Sequence, residues 1–131
     1  MARTVAVLGA SRNREKFGNK AVRAFAYRGY RVIPINLRPG LIEGIRVFTS
    51  VLSVPDRIDL ATVYLQPSVG RSVMKELAQK GIPEVWLNPG ADGEDVAEMA
   101  RAVGLEPILD CSIVGIGESP AFYPSDVRRM G

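Results

Sequence analysis

Short aliphatic runs that alternate with amphipathic stretches, each stretch closed by a glycine, leave this chain few folds to adopt. Thr4-Val5-Ala6-Val7-Leu8 is almost continuously apolar, the pattern of a strand buried on both faces. Arg31-Val32-Ile33-Pro34-Ile35 reads as a second strand, with Pro34 a mild objection. Leu60 to Leu65, Glu84 to Leu87 and the short Pro107-Ile108-Leu109 follow as a third, fourth and fifth. Between them, Val22, Phe25 and Ala26 share one face of a helix over roughly residues 19–28. Val69, Val73 and Leu77 repeat every four residues behind Ser68, a candidate N-cap, and Val96, Met99 or Ala100, and Val103 do so behind Asp92. The three helices stop at Gly29, Gly81 and Gly104, residues suited to the left-handed backbone that closes a helix.

Strand, helix, strand at this spacing predicts βαβ units, because parallel neighbours need a crossover. With right-handed crossovers the expected fold is α/β: a Rossmann-like, doubly wound, mainly parallel five-stranded sheet with helices on both faces. The least regular stretch is Leu37 to Arg57, with a small strand expected at Arg46-Val47-Phe48 and a helical turn near Ser50 to Ser53. From about residue 112 the chain, with Gly115, Gly117, Gly131, Pro120 and Pro124, reads as an irregular tail.

A length of 131 residues fits a single domain over 1–131, and 47% apolar residues suffice for a core. No apolar run approaches the roughly 20 residues a bilayer span needs, and no signal-peptide layout is visible, so a cytoplasmic protein without membrane association is expected. Histidine is absent and cysteine occurs once, at Cys111. Those two facts exclude Ser-His-Asp and Cys-His nucleophile systems, histidine-ligated zinc and an internal disulfide framework. No metal site and no catalytic residues are expected.

The formal charge is +3, from 17 Lys and Arg against 14 Asp and Glu, but Arg12, Arg14, Lys16, Lys20, Arg23, Arg28, Arg31 and Arg38 bunch near the N-terminus. Without interleaved aromatics or a nucleic-acid motif, the bunching fits a small polyanionic ligand better than nucleic acid.

The first strand-to-helix junction is where such a ligand fits. Gly9 permits a tight turn after Leu8, and the N–H groups of Ala10, Ser11 and Arg12 that follow can face an anion, helped by the helix dipole. Ser11 adds a hydroxyl, and Lys16 or the arginines at 12 and 14 add charge. The Gly-x-Gly-x-x-Gly fingerprint is missing, since only Gly9 and the later Gly18 are present. The second strand ends Ile35-Asn36-Leu37-Arg38-Pro39, without the carboxylate that bonds the ribose in NAD-binding domains. Arg38 suits a phosphorylated ribose instead, that of NADP or of coenzyme A. Gln66-Pro67-Ser68 and Asn88-Pro89-Gly90-Ala91, at the third and fourth strand ends, should lie on the same sheet edge.

Val7-Leu8-Gly9-Ala10-Ser11, Glu15 to Lys20, Pro34-Ile35-Asn36, Ile58-Asp59-Leu60, Val85 to Ala91 and the Cys111 segment, in that order, resemble the small stand-alone CoA-binding domain proteins. These are similar to the CoA-binding Rossmann domain of the succinyl-CoA synthetase alpha subunit. The resemblance covers about residues 3 to 112. It implies coenzyme A or acyl-CoA lying across the strand C-termini. The phosphates would then lie at Gly9, Ala10, Ser11 and Arg12 with Lys16 nearby, and the phosphorylated ribose at Asn36 and Arg38. Pro67 and the Asn88, Pro89 and Gly90 loop would line the path of the adenine or pantetheine arm. The ligase relatives use a histidine on a second domain, which this chain lacks. It therefore reads as a non-catalytic binding module, with an NADP-binding redox enzyme or sensor and a ligand-free interaction subunit as alternatives. Cys111 is a candidate for a mixed disulfide with the CoA thiol. The apolar Phe122-Tyr123 pair is a candidate contact for a homodimer or another protein partner.

Overall fold

The computed structural model describes residues 2–125. Strands β1 (Thr4–Leu8), β2 (Arg31–Ile35), β5 (Leu60–Val63), β6 (Glu84–Leu87) and β7 (Pro107–Ile108) form one wholly parallel sheet in the order β2-β1-β5-β6-β7. A two-residue antiparallel hairpin, β3 (Leu41–Ile42) and β4 (Ile45–Arg46), stands apart. Pro34 is accommodated because β2 is an edge strand, where a missing N–H is tolerated.

Because every β1 residue is buried, alternate side chains feed two cores. Ala6, Leu8, Ala61, Val63, Val85 and Leu87 pack under α2 (Pro67–Lys80) and α3 (Glu94–Ala102). Val5, Val7 and Leu60 face α1 (Phe17–Tyr27) and the short α4 (Ser112–Gly115) on the other side. The sheet is thus covered on both faces, the doubly wound α/β fold expected. Gly29, Gly81 and Gly104 all take left-handed backbone after their helices, at φ of +85°, +80° and +90°. The chain winds from β1 outward to β2 and then returns to β5 on β1's other side. The sheet's switch point therefore lies between β1 and β5, where ligands settle beyond the strand C-termini.

Several local expectations are corrected. Helix α2 begins at Pro67 with Gln66 as its N-cap, not behind Ser68, because proline's fixed φ and missing N–H suit the first helical position. Asp92 does not cap α3. Its carboxylate accepts the Gly90 N–H at 2.9 Å in a tight turn, leaving Gly93 as N-cap. The strand expected at 46–48 is split. Glu43 and Gly44, both at positive φ, turn the β3–β4 hairpin, and Phe48 makes only a single parallel bridge to Ile35. β5 stops at Val63 and β7 at Ile108, short of the expected Leu65 and Leu109. The expected turn near Ser50 is a 3-10 turn over Val51–Ser53, with the Ser50 hydroxyl accepting the Leu52 N–H.

The tail is not irregular up to Ser125. It holds α4 and a 3-10 turn at Pro120–Phe122, and it seats Tyr123 fully buried against α1. Tyr123 is therefore part of the core and unavailable for a dimer contact, although Phe122 is exposed. Gly131 lies outside the described residues.

Candidate functional site

Gly9 leaves β1 at φ +85°, and a Cβ there would sit 3.0 Å from the Tyr64 carbonyl carbon, so the turn presses against the exit of β5. The start of α1 in turn rests on Gly9. A Cβ on Gly18 would come within 2.1 Å of the Gly9 carbonyl oxygen, so only glycine fits there. The absent Gly-x-Gly-x-x-Gly pattern gives no hint of this role for Gly18, because it depends on a contact nine residues back. After Gly9 the chain makes a seven-residue loop, 10–16, and α1 begins at Phe17 with Lys16 as N-cap. The first N–H groups of α1 have no helical acceptor and open toward the same edge. Ala10 is buried, and the Ser11 hydroxyl oxygen accepts the Asn13 N–H at 3.0 Å, which leaves its own proton to donate.

Asn36 and Arg12 join this loop to the end of β2. The Asn36 amide donates to the Ala10 carbonyl at 2.8 Å and accepts the Arg38 N–H at 2.8 Å. The Arg12 guanidinium donates to the Arg38 and Pro39 carbonyls at 3.2 and 2.9 Å. Arg38, Lys16 and Lys20 make no side-chain hydrogen bond or ion pair among the described residues.

Two clefts meet at Gly9. One, of about 290 Å³, runs between the β2 exit and α2 and is mostly apolar, with Ile35, Leu37, Leu65, Val69 and Val73 around Ser50 and Glu76. Val69, expected on the core face of α2, is instead half-exposed into this cleft, and Met74 and Leu77 fill the core below. The other, also about 290 Å³, is bounded by Lys16, Phe17, Gly18, Tyr64, Gln66 and the Pro89-Gly90-Ala91 turn. The first turn, the α1 N-terminus and two of the strand-end loops thus converge. Pro67 lies at the first position of α2, beside this second cleft's Gln66.

Asn88 belongs to the same loop but faces inward, 1% exposed. Its amide donates to Thr62 Oγ1 at 2.6 Å and the Val63 carbonyl at 3.0 Å, and its oxygen accepts the Ser112 N–H at 2.8 Å. Ser112 Oγ closes the network on Thr62 and Tyr64 at 2.7 and 3.2 Å. Asn88 holds the loop rather than lining a cleft. Burial pushes the Tyr64 phenol up to about 12, and its ring bounds the second cleft. Cys111 is half-buried beside this network, at the N-cap of α4.

Most of the N-terminal basic bunch holds the fold together, which corrects its reading as a ligand field. Arg23 is fully buried. It donates to Asn19 Oδ1 (2.8 Å) and to the carbonyls of Arg14 (3.0 Å), Tyr123 (2.8 Å) and Pro124 (2.9 Å), and its guanidinium lies 5.7 Å from the Tyr123 ring. Arg14 pairs with Glu43 at 3.3 Å, Arg28 with Glu118 at 3.7 Å, and Arg31 with Asp56. Sequence pattern gives no sign of the Arg23 clasp, because two of its acceptors, the Tyr123 and Pro124 carbonyls, lie about a hundred positions away. Lys16, Lys20 and Arg38 remain, among the described residues, as cations without a partner of their own.

A family model described as CoA binding domain matches residues 3–116. The chain belongs to that family. The CoA-binding domain is 31% identical, over 95% of its length, to the alpha subunit of ADP-forming acetate–CoA ligase I of Pyrococcus furiosus, of which it spans only 31%. The chain thus resembles one part of an enzyme subunit. Among solved structures, a conserved hypothetical protein of Pyrococcus furiosus superposes with a TM-score of 0.79 at 30% identity, covering 86% of this chain and 98% of that one. A Thermus thermophilus protein superposes at 0.78 and 25% identity, covering 86% and 87%. The clasped tail beyond residue 116 falls outside the family match. Among the described residues, no helix is long and apolar enough to cross a membrane.

Proposed function

We propose that this domain binds coenzyme A or acyl-CoA without transforming it. The observation that carries the reading is the meeting of two clefts at Gly9, beyond the C-terminal strand edge at the sheet's switch point, in a chain of the CoA-binding family. Coenzyme A has a matching plan: a nucleoside, a central diphosphate and a long, mainly neutral arm. The diphosphate would sit at Gly9, Ala10, Ser11 and Arg12, taking the α1 N-terminus, the Ser11 hydroxyl and Lys16 as its donors. The nucleoside would enter the apolar cleft beside Leu37, with Asn36 and Arg12 holding the loop that presents Arg38 to the 3′-phosphate. The pantetheine arm would run past Phe17 and Tyr64 toward Pro67 and the Pro89-Gly90 turn, which Asn88 braces. Catalysis is not part of the proposal, because the chain has no histidine and Tyr64 keeps its proton.

Calorimetric titration with coenzyme A, dephospho-CoA and NADPH tests this. Coenzyme A should bind, and loss of the 3′-phosphate should weaken it by about tenfold, the value of one charge-assisted contact to Arg38. Absence of any heat with coenzyme A would sink the proposal, and binding of NADPH alone would turn it to redox chemistry.

A further inference from the structure

The apolar cleft contains one acceptor-only group, and its geometry is fixed. Glu76 lies on α2 facing the turn that follows β4, and its Oε1 accepts the Ser50 hydroxyl at 2.6 Å. Ser50 Oγ is itself an acceptor for the Leu52 N–H at 3.1 Å. A hydroxyl has one proton, so Ser50 must spend it on Glu76, which locks the carboxylate's orientation. The second oxygen, Oε2, makes no hydrogen bond among the described residues. Glu76 is half-buried in a wall otherwise made of Ile35, Leu37, Leu65, Val69 and Val73. The Ser50 bond ties only one carboxylate oxygen to the turn, which is also closed by its own Ser53 N–H and Ser53 hydroxyl bonds to the Ser50 carbonyl.

We infer that Glu76 selects the base of the bound nucleotide, accepting a hydrogen bond from the exocyclic amine of a 6-aminopurine and rejecting a 6-oxopurine. The inference rests on the coenzyme A reading and adds the base discrimination to it. An apolar-walled cleft accepts either purine ring by burial alone. The two differ at position 6 of the ring: there the amine donates, whereas the oxo group presents lone pairs to an oxygen that has no proton to give, and the oxo ring's own donor, N1–H, lies one atom along the edge. Discrimination therefore comes from one satisfied contact against one repulsive, unpaired one. Leu37 and Val69, both exposed in the free chain, would be covered by the same ring.

The test uses the full chain with coenzyme A and with its analogue deaminated at the purine, on the wild type and on Glu76→Gln. Wild type should prefer the amino form by about tenfold, the lower end for a hydrogen bond to a charged group at a half-exposed site. Glu76→Gln, whose amide can turn to donate, should lose that preference by weakening coenzyme A and recovering the 6-oxo analogue. Equal wild-type affinity for the two forms overturns the inference while leaving the coenzyme A reading intact, and it needs no variant to fold. A preference that survives Glu76→Gln also overturns it. Failure of wild type to bind either form overturns both readings at once.

Discussion

Replacing Arg23 with methionine should destabilise the domain by about as much as emptying a large core position. Methionine keeps the aliphatic stem and removes the guanidinium. Burying a charge is itself costly, and swapping an entire buried ion pair for apolar residues is often neutral. Here that escape is closed, because its partners among the described residues include three backbone carbonyls and Asn19 Oδ1, which stay polar whatever occupies position 23. The bonds to Asn19 and Tyr123 are fully buried, while those to Arg14 and Pro124 are only partly so and can take up water. Two stranded acceptors at about 1–3 kcal/mol each give a loss of about 4 kcal/mol. At this chain length that corresponds to a fall in Tm of about 12 °C. Urea denaturation of Arg23→Met against wild type measures the loss directly. Limited proteolysis should show cleavage after Glu118 in the variant before the sheet is attacked. Arg23→Lys should recover less than half, since an ammonium lacks the planar fork that reaches four acceptors. A loss below about 1 kcal/mol, with the tail still protected, would show that the clasp contributes little and that the reasoning from stranded acceptors is mistaken.

Gly18→Ala should cost about 1–3 kcal/mol and weaken coenzyme A, because α1 must back away from the Gly9 carbonyl; thermal melts and titration read both, and an unchanged pair of values would refute the close contact. Tyr64 provides a pH test. Its folded phenol holds the proton up to about 12, against an ordinary value of 10.0, so the folded state binds more protons between those values and stability must fall as pH rises through that window. Tyr64→Phe should remove that slope, visible as a smaller loss of Tm between neutral and strongly alkaline pH than in wild type; parallel curves would place the phenol in water.

Local pattern was enough for the order of the sheet elements, because burial on both faces writes itself as continuous apolar runs such as Thr4 to Leu8, and helix ends write themselves as Gly29, Gly81 and Gly104. It was also enough to point to Gly9 as the turn where ligand chemistry concentrates. Cap positions failed where proline at 67 and the Asp92 turn offered the backbone a competing local solution. Side-chain roles at the site were less legible. Asn36, Arg12 and Asn88 fit the polar positions a ligand needs, yet folding spends their hydrogen bonds on joining loops. Tertiary structure alone decided which cations stay available, that Tyr123 seals the core, and that Val69 and Glu76 face a cleft instead of the interior. Each of those outcomes depends on contacts between segments tens to a hundred residues apart. A period of two or of 3.6 residues reports only which way a side chain points within its own element, not what it meets there.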